Sequence, residues 1–192
     1  MSDPAKRAPR ATIADFLGIP EEQRFHELIG GEIVEKAAPS AEHGATQLLI
    51  GGTLLGPFGR NPPSGGPGGW WLVTEVEVRF GDEICRPDIA GWRRASVAER
   101  PRGTVVDVIP HWICEVLSQD KRNDLVRKKH TYHRHHVDHY WIVDPEQGTL
   151  AVYRWHVDGY LEVLVAERGQ TVRAEPFDAI EIAVGGLFGD EP

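Results

Sequence analysis

Hydrophobic and polar residues alternate with a period of two along several stretches and with a period near 3.6 along a few others, so the chain reads as many strands and few helices. "TIADFLGI" (12–19) predicts a short first helix capped by Thr12. "RFHELIGGEIVEK" (24–36) carries two alternating runs around Gly30 and Gly31, a hairpin whose glycines supply the positive φ of a tight turn. From Ser40, which suits an N-cap, Leu48, Leu49, Thr53, Leu54 and Leu55 fall near helical spacing and predict a helix ending near Leu55. "WWLVTEVEVRF" (70–80) alternates strictly and predicts one long strand, with Leu72, Thr74, Val76, Val78 and Phe80 on a single face.

Two short strands follow, "DIAGW" (88–92) and "HWICEVL" (111–117). Behind them "SQDKRNDLVRKKHTYHRHH" (118–136) predicts a helix capped by Ser118 or Asp120, with Leu125, Lys128, Lys129 and Tyr132 along one side. "DHYWIVDPEQGTLAVYRW" (138–155) gives two strands around a Pro and Gly turn, and "YLEVLVAE" and "AIEIAV" supply short strands near the end. This order indicates an α/β (α+β) domain, a mixed sheet flanked by helices with an amino-terminal β-hairpin.

Residues 56–69 contain ten Gly or Pro among fourteen, which predicts a flexible loop; no Gly-Lys-Ser/Thr follows, so it is not a phosphate cradle. Residues 1–10 are expected to be a disordered tail, 11–184 a single domain, and 185–192 an acidic tail. The 192 residues, 41% hydrophobic, suffice for one real core. No run of 18 apolar residues occurs and the start lacks the apolar middle of a signal peptide, so a cytoplasmic protein with no membrane partner is expected. Cys85 and Cys114 have no metal-ligand or redox spacing and read as small buried hydrophobes.

A net charge of −8 argues at first against an anionic partner, but the average conceals a division. Residues 86–102 and 121–136 together hold 11 of the 21 Lys and Arg and only 3 of the 29 Asp and Glu, so they total +8 and the remainder −16. This basic charge surrounds two acids, Asp88 and Glu115, set inside runs that otherwise read as buried strands. A buried carboxylate costs several kcal/mol unless compensated. If the two strands are neighbours, the carboxylates can converge at one end of the sheet, where a hard divalent cation would relieve their repulsion. An ion pair of Glu115 with Arg86 or Lys128 would serve without metal. Asp124, Lys128 and Tyr132, spaced four apart, share one side of the helix, and a lysine there could offset charge developing on a phosphoryl group. The histidines of "KKHTYHRHHVDHY" lack zinc-ligand spacing, and the six tryptophans read as packing residues.

"RPDIAGW", "CEVLS", Asp124-x-x-x-Lys128-x-x-x-Tyr132 and "HYWIVDP", in that order, resemble the Uma-two family of restriction-endonuclease-like proteins in the PD-(D/E)XK nuclease superfamily. "HELIGGEIVE" and "SAEHG" resemble the family's first hairpin and helix start, so the likeness spans residues 24–155 or so. It implies a metal-dependent endonuclease hydrolysing phosphodiesters of nucleic acid, DNA above all, with Mg²⁺ or Mn²⁺ as cofactor. Asp88 and Glu115 would hold the ion, with the Val116 carbonyl a third ligand. The superfamily lysine two residues after Glu115 is Leu117 here, and Lys128 on the following helix takes its place, with Lys129 a neighbour. Ser118 matches, whereas the usual proline after it is Gln119. His43 resembles a family position and reads first as a contact in the cap region. Arg93, Arg94, Lys121, Arg122 and Lys129 are expected to grip backbone phosphates. A non-catalytic nucleic-acid-binding domain and a protein-partner module using the acidic remainder are the alternatives. An edge strand such as "YLEVLVAE" could pair two copies into a homodimer.

Overall fold

A computed structural model describes residues 10–60, 68–118, 121 and 123–191. Among these residues the α-helices are α1 (Ile13–Leu17), α2 (Ala41–Phe58) and α3 (Lys129–Arg134). The strands before the basic helix are β1 (His26–Ile29), β2 (Glu32–Glu35), β3 (Trp70–Thr74), β4 (Glu77–Phe80), β5 (Glu83–Cys85), β6 (Ile89–Arg93), β7 (Val105–Val106) and β8 (Trp112–Val116). After it come β9 (His139–Asp144), β10 (Thr149–Arg154), β11 (Leu161–Glu167), β12 (Thr171–Val172) and β13 (Ile182–Ala183). They form two main sheets, ordered β2-β1-β5-β4-β7 and β11-β10-β9-β8-β6-β3, plus the small pair β12-β13. β8 and β9 run parallel, joined by the segment that contains α3, as a parallel pair requires. The sheet is thus mixed and flanked by helices, the class the sequence pattern indicates.

Local chemistry accounts for the ends. Thr12 and Asp15 form a reciprocal capping box on α1, and the Ser40 hydroxyl accepts the His43 N–H at the start of α2. Gly30 (φ 63°) and Gly31 (φ 78°) make the β1-β2 turn.

The six-stranded sheet is buried on both faces. Trp112, Cys114 and Val116 of β8 point into a core that includes Ile50, Leu54 and Phe58 of α2 and also Phe177. Ile113 and Leu117 point the other way, with Ala90, Trp92, Tyr132 and Tyr140. Buried Trp70, Trp92, Trp112 and Trp141 are packing residues, and Cys85 and Cys114 are free and buried, all as expected.

Several expectations are corrected. The run 70–80 is two strands, because Glu75 adopts φ 53° and turns the chain, sending β3 to pair with β6 and β4 to pair with β5 in the other sheet. The basic segment is a π-helical turn, Asn123–Lys128, followed by the short α3, and Leu125 faces outward, 40% exposed. α2 continues to Phe58, past Leu55, so the expected loop 56–69 begins as helix, and its positions 61–67 lie outside the described residues. Residues 1–9 of the expected tail also lie outside them. At the other end Val184–Phe188 is a 3₁₀ turn whose Val184 and Leu187 are buried in the core, so the folded part extends beyond 184.

Candidate active site

Strand register brings the two acids together. β6 and β8 are antiparallel neighbours whose last paired residues are Ile89 and Cys114, and the next residues outward are Asp88 and Glu115. Alternation puts Ile89 and Cys114 toward α2, so Asp88 and Glu115 emerge on the opposite face, toward the basic helix and the β1-β2 hairpin. Both line one cleft of about 60 Å³ with Glu27, Glu35, Lys36, His43, Val116, Asp124 and Lys128 among its walls.

Each acid has defined partners. The Val116 N–H donates to Asp88 Oδ2 at 2.7 Å, Lys36 Nζ donates to Asp88 Oδ1 at 2.8 Å, and His43 Nε2 lies 3.4 Å from that same oxygen. Burial alone would raise the Asp88 pKa; Lys36 and His43, with Lys128 beyond, outweigh it and hold the carboxyl well below the usual range. Glu115 is 1% exposed and accepts a 2.6 Å hydrogen bond from the Tyr132 hydroxyl. Here burial wins over the attraction of Lys128, and with Asp88 and Asp124 adding repulsion the carboxyl titrates well above an ordinary glutamate.

Lys128 is 3% exposed. Its Nζ lies 2.9 Å from Asp124 Oδ1, 3.2 Å from Glu27 Oε1 and 3.3 Å from Glu115 Oε1. Burial disfavours its charge, but Glu115, Glu27, Asp124 and Asp88 more than reverse that and hold its pKa well above the usual value. Asp124, Lys128 and Tyr132 are all buried, so this is the side the helix presents to the sheet, as the four-residue spacing implies. The lysine has no position on β8, since Leu117 points into the core there.

The buried acids Glu27, Asp88, Glu115 and Asp124 face two ammonium groups, Lys36 and Lys128. With all four ionised the cluster would carry a formal −2 in a low-dielectric cleft, a deficit relieved either by a proton on Glu115, whose ionisation burial disfavours, or by one divalent cation. Carboxylate and carbonyl oxygens are the donors that Mg²⁺ and Mn²⁺ prefer, so the residues present fit such an ion. Among the described residues, one group of three or more acidic or histidine side chains has ligand atoms close enough for a metal: His43, Glu75 and Asp88, all within 4.8 Å of one another. The histidines of 130–139 do not belong to it.

Glu27, Lys36 and Glu75 were missed by the sequence reading, and His43 was read as a cap-region contact first and a site residue second. Glu27 resembles Glu115 as an acid in a strand, followed by Leu28 and Ile29, but His26 precedes it and makes that signal weaker. Lys36 follows β2 directly and carries no comparable mark.

The predicted phosphate-gripping residues are scattered. Arg93 lies at the far end of β6, roughly 16 Å along the strand from Asp88, with its guanidinium over the Trp70 ring at 4.7 Å. Arg94 stacks on Trp71 and donates to the Gly59 and Trp70 carbonyls. Lys129 lies 3.5 Å from the Tyr153 ring centroid. Lys121 pairs with Asp144 and Glu146, in a depression of about 790 Å³ that shares His43 and Ser118 with the cleft. Arg122 and the possible cap Asp120 lie outside the described residues, and Ser118 precedes the helical turn without belonging to it.

The chain is thus a mixed-sheet domain with a buried carboxylate and lysine cluster at one strand end. A family profile, Uma2, described as "Putative restriction endonuclease", matches residues 13–185. The chain belongs to that family. A crystal structure described as "a putative nuclease belonging to DUF820 from Anabaena variabilis" is similar over 92% of this chain and 97% of its own, with a TM-score of 0.75 and 23% identity. That likeness establishes the fold. No curated protein matches the chain.

Proposed function

We propose that the protein is an endonuclease that uses Mg²⁺ or Mn²⁺ to hydrolyse phosphodiester bonds, with DNA as substrate. The observation that carries this reading is the formal −2 of the buried cluster, set between two strands and a helix in a chain of this family. A divalent ion held by Asp88, Glu115 and the Val116 carbonyl would lower the pKa of attacking water and neutralise the phosphate. The protein's own groups do the rest. Val116 N–H and Tyr132 hydroxyl fix the two carboxylates, so neither has to reorganise as the reaction proceeds. Lys128, locked among three acids, supplies a fixed positive charge beside Glu115 to offset the extra negative charge of the pentavalent transition state. The 790 Å³ depression continuing from the cleft past Ser118 and Lys121 is the proposed path of the strand. Lys121 is the proposed phosphate contact along that path, and Arg93, Arg94 and Lys129 remain proposed contacts for flanking duplex.

Cleavage of plasmid and single-stranded DNA with Mg²⁺ or Mn²⁺ tests the proposal. Asp88→Ala and Lys128→Ala are each expected to lower the rate by about 10²-fold or more, as loss of a group acting on the transition state does. Equal residual cleavage by wild type and both variants would overturn it.

A further inference from the structure

Lys36 plays no part in the chemistry above, yet its ammonium occupies a site of unusual construction. Nζ lies 2.8 Å from Asp88 Oδ1, 2.8 Å from Glu75 Oε2 and 2.8 Å from the Arg86 carbonyl, so its three N–H groups each meet an oxygen. The two carboxylates belong to the His43, Glu75 and Asp88 group, whose ligand atoms converge within 4.8 Å.

The surroundings are built to keep that group together. α2 delivers His43 from its capped first turn and Gln47 one turn later; the Gln47 amide donates to Glu75 Oε1 at 3.2 Å and to the Asp88 carbonyl at 2.7 Å. Glu75 holds its place at φ 53°, a conformation strained for a non-glycine residue that persists only where its surroundings demand it. His43 is 7% exposed, and its Nδ1 has no hydrogen-bond partner among the described residues. A buried imidazole facing two carboxylates and a carbonyl is a donor set that Mn²⁺ accepts readily.

We infer that Lys36 is a tethered cation standing where His43, Glu75 and Asp88 would otherwise bind a second divalent ion, so that the protein takes one metal instead of two. The inference rests on the reading of the neighbouring Asp88 and Glu115 site, with Asp88 shared between them. A covalently held ammonium fixes the second positive charge at full occupancy regardless of metal concentration. Removing it vacates the site without removing any ligand.

The test counts ions instead of turnover. Mn²⁺ binding to the full chain is measured by titration calorimetry and by the loss of the free-ion paramagnetic signal. Lys36→Met, which keeps the aliphatic stem, and Lys36→Ala are each expected to bind one Mn²⁺ more than wild type, and adding His43→Ala to Lys36→Met is expected to abolish the additional ion. Circular dichroism confirms folding. A second tight ion in wild type, no additional ion in folded Lys36 variants, or an additional ion that survives His43→Ala would overturn the inference. Should wild type bind none while the variants bind one, the inference stands and the metal-dependent reading of Asp88 and Glu115 falls.

Discussion

At Glu115 a tyrosine hydroxyl and a lysine hold a carboxylate that burial discourages from ionising. Two outcomes follow at the scale of this residue. The Glu115 pKa is raised, so a proton remains on the metal-free protein to higher pH than on an ordinary glutamate, and metal must displace it. Mn²⁺ affinity should therefore rise with pH above the usual carboxylate range and level off once that proton is gone. Calorimetry in buffers of different ionisation enthalpy should register net proton release. In chelator, below the pH at which Glu115 loses its proton, Glu115→Gln replaces a neutral carboxyl with an amide of the same shape and should melt close to wild type, within about 0.5 kcal/mol, while losing cleavage. A melting point several degrees below wild type under those conditions would count against a protonated Glu115 in the metal-free cleft. These residues were unequally legible in the sequence. Asp88, Glu115 and Lys128 could be read because acids inside apolar strands, and a lysine spaced four from an aspartate and a tyrosine, leave a pattern. Lys36 and Glu75 could not, because nothing local distinguishes an exposed-looking Lys or Glu from one that reaches 39 positions along the chain to its partner.

Most elements follow from period and capping chemistry, and the exceptions have identifiable causes. β3 and β4 read as one strand because alternation survives across the break, and only backbone conformation at Glu75 reveals that the chain changes sheets there. The basic helix keeps Asp124, Lys128 and Tyr132 on its inner side while Leu125 turns outward, and it begins with a π turn that holds Lys128 among Glu27, Glu115 and Asp124. β6 depends on a glycine. A Cβ at Gly91 would meet Trp112 at 3.0 Å and Leu72 and Trp70 at 3.2 Å, and both tryptophans are buried in the core beneath α2. Gly91→Ala should therefore cost about 1–3 kcal/mol and lower the melting temperature by several degrees, measured by thermal denaturation; an unchanged melting point would show that this core is looser than its geometry indicates. Tyr132→Phe leaves α3 packed on the sheet but deprives Glu115 of its donor. It should retain the fold by circular dichroism and weaken Mn²⁺ binding, with an unchanged affinity arguing that the hydroxyl does not orient Glu115.

For the molecule as a whole, the distribution of charge is where sequence and structure part most clearly. Counting placed +8 in two segments and suggested a basic surface, but folding commits much of that charge internally. Arg86 pairs with Glu77, Arg127 with Glu32, Arg134 with Glu83, and Lys128 is buried. A count along the chain records how many cations there are and not which acids they meet, and the partners of Arg127 and Arg134 lie 95 and 51 positions away. No helix among the described residues is long and apolar enough to cross a membrane. β11 (Leu161–Glu167), the strand that the sequence offered for pairing, is an outer strand of its sheet with exposed Leu161 and Val165.

The central claim is that Asp88 and Glu115, brought side by side by β6 and β8, share one hard cation beside Lys128. Anomalous scattering from a crystal soaked in Mn²⁺ tests it most directly. The account predicts a single strong peak coordinated by both carboxylates and the Val116 carbonyl, with Lys128 Nζ still close to Glu115. A peak absent from that position, or one that engages Asp88 without Glu115, would contradict it.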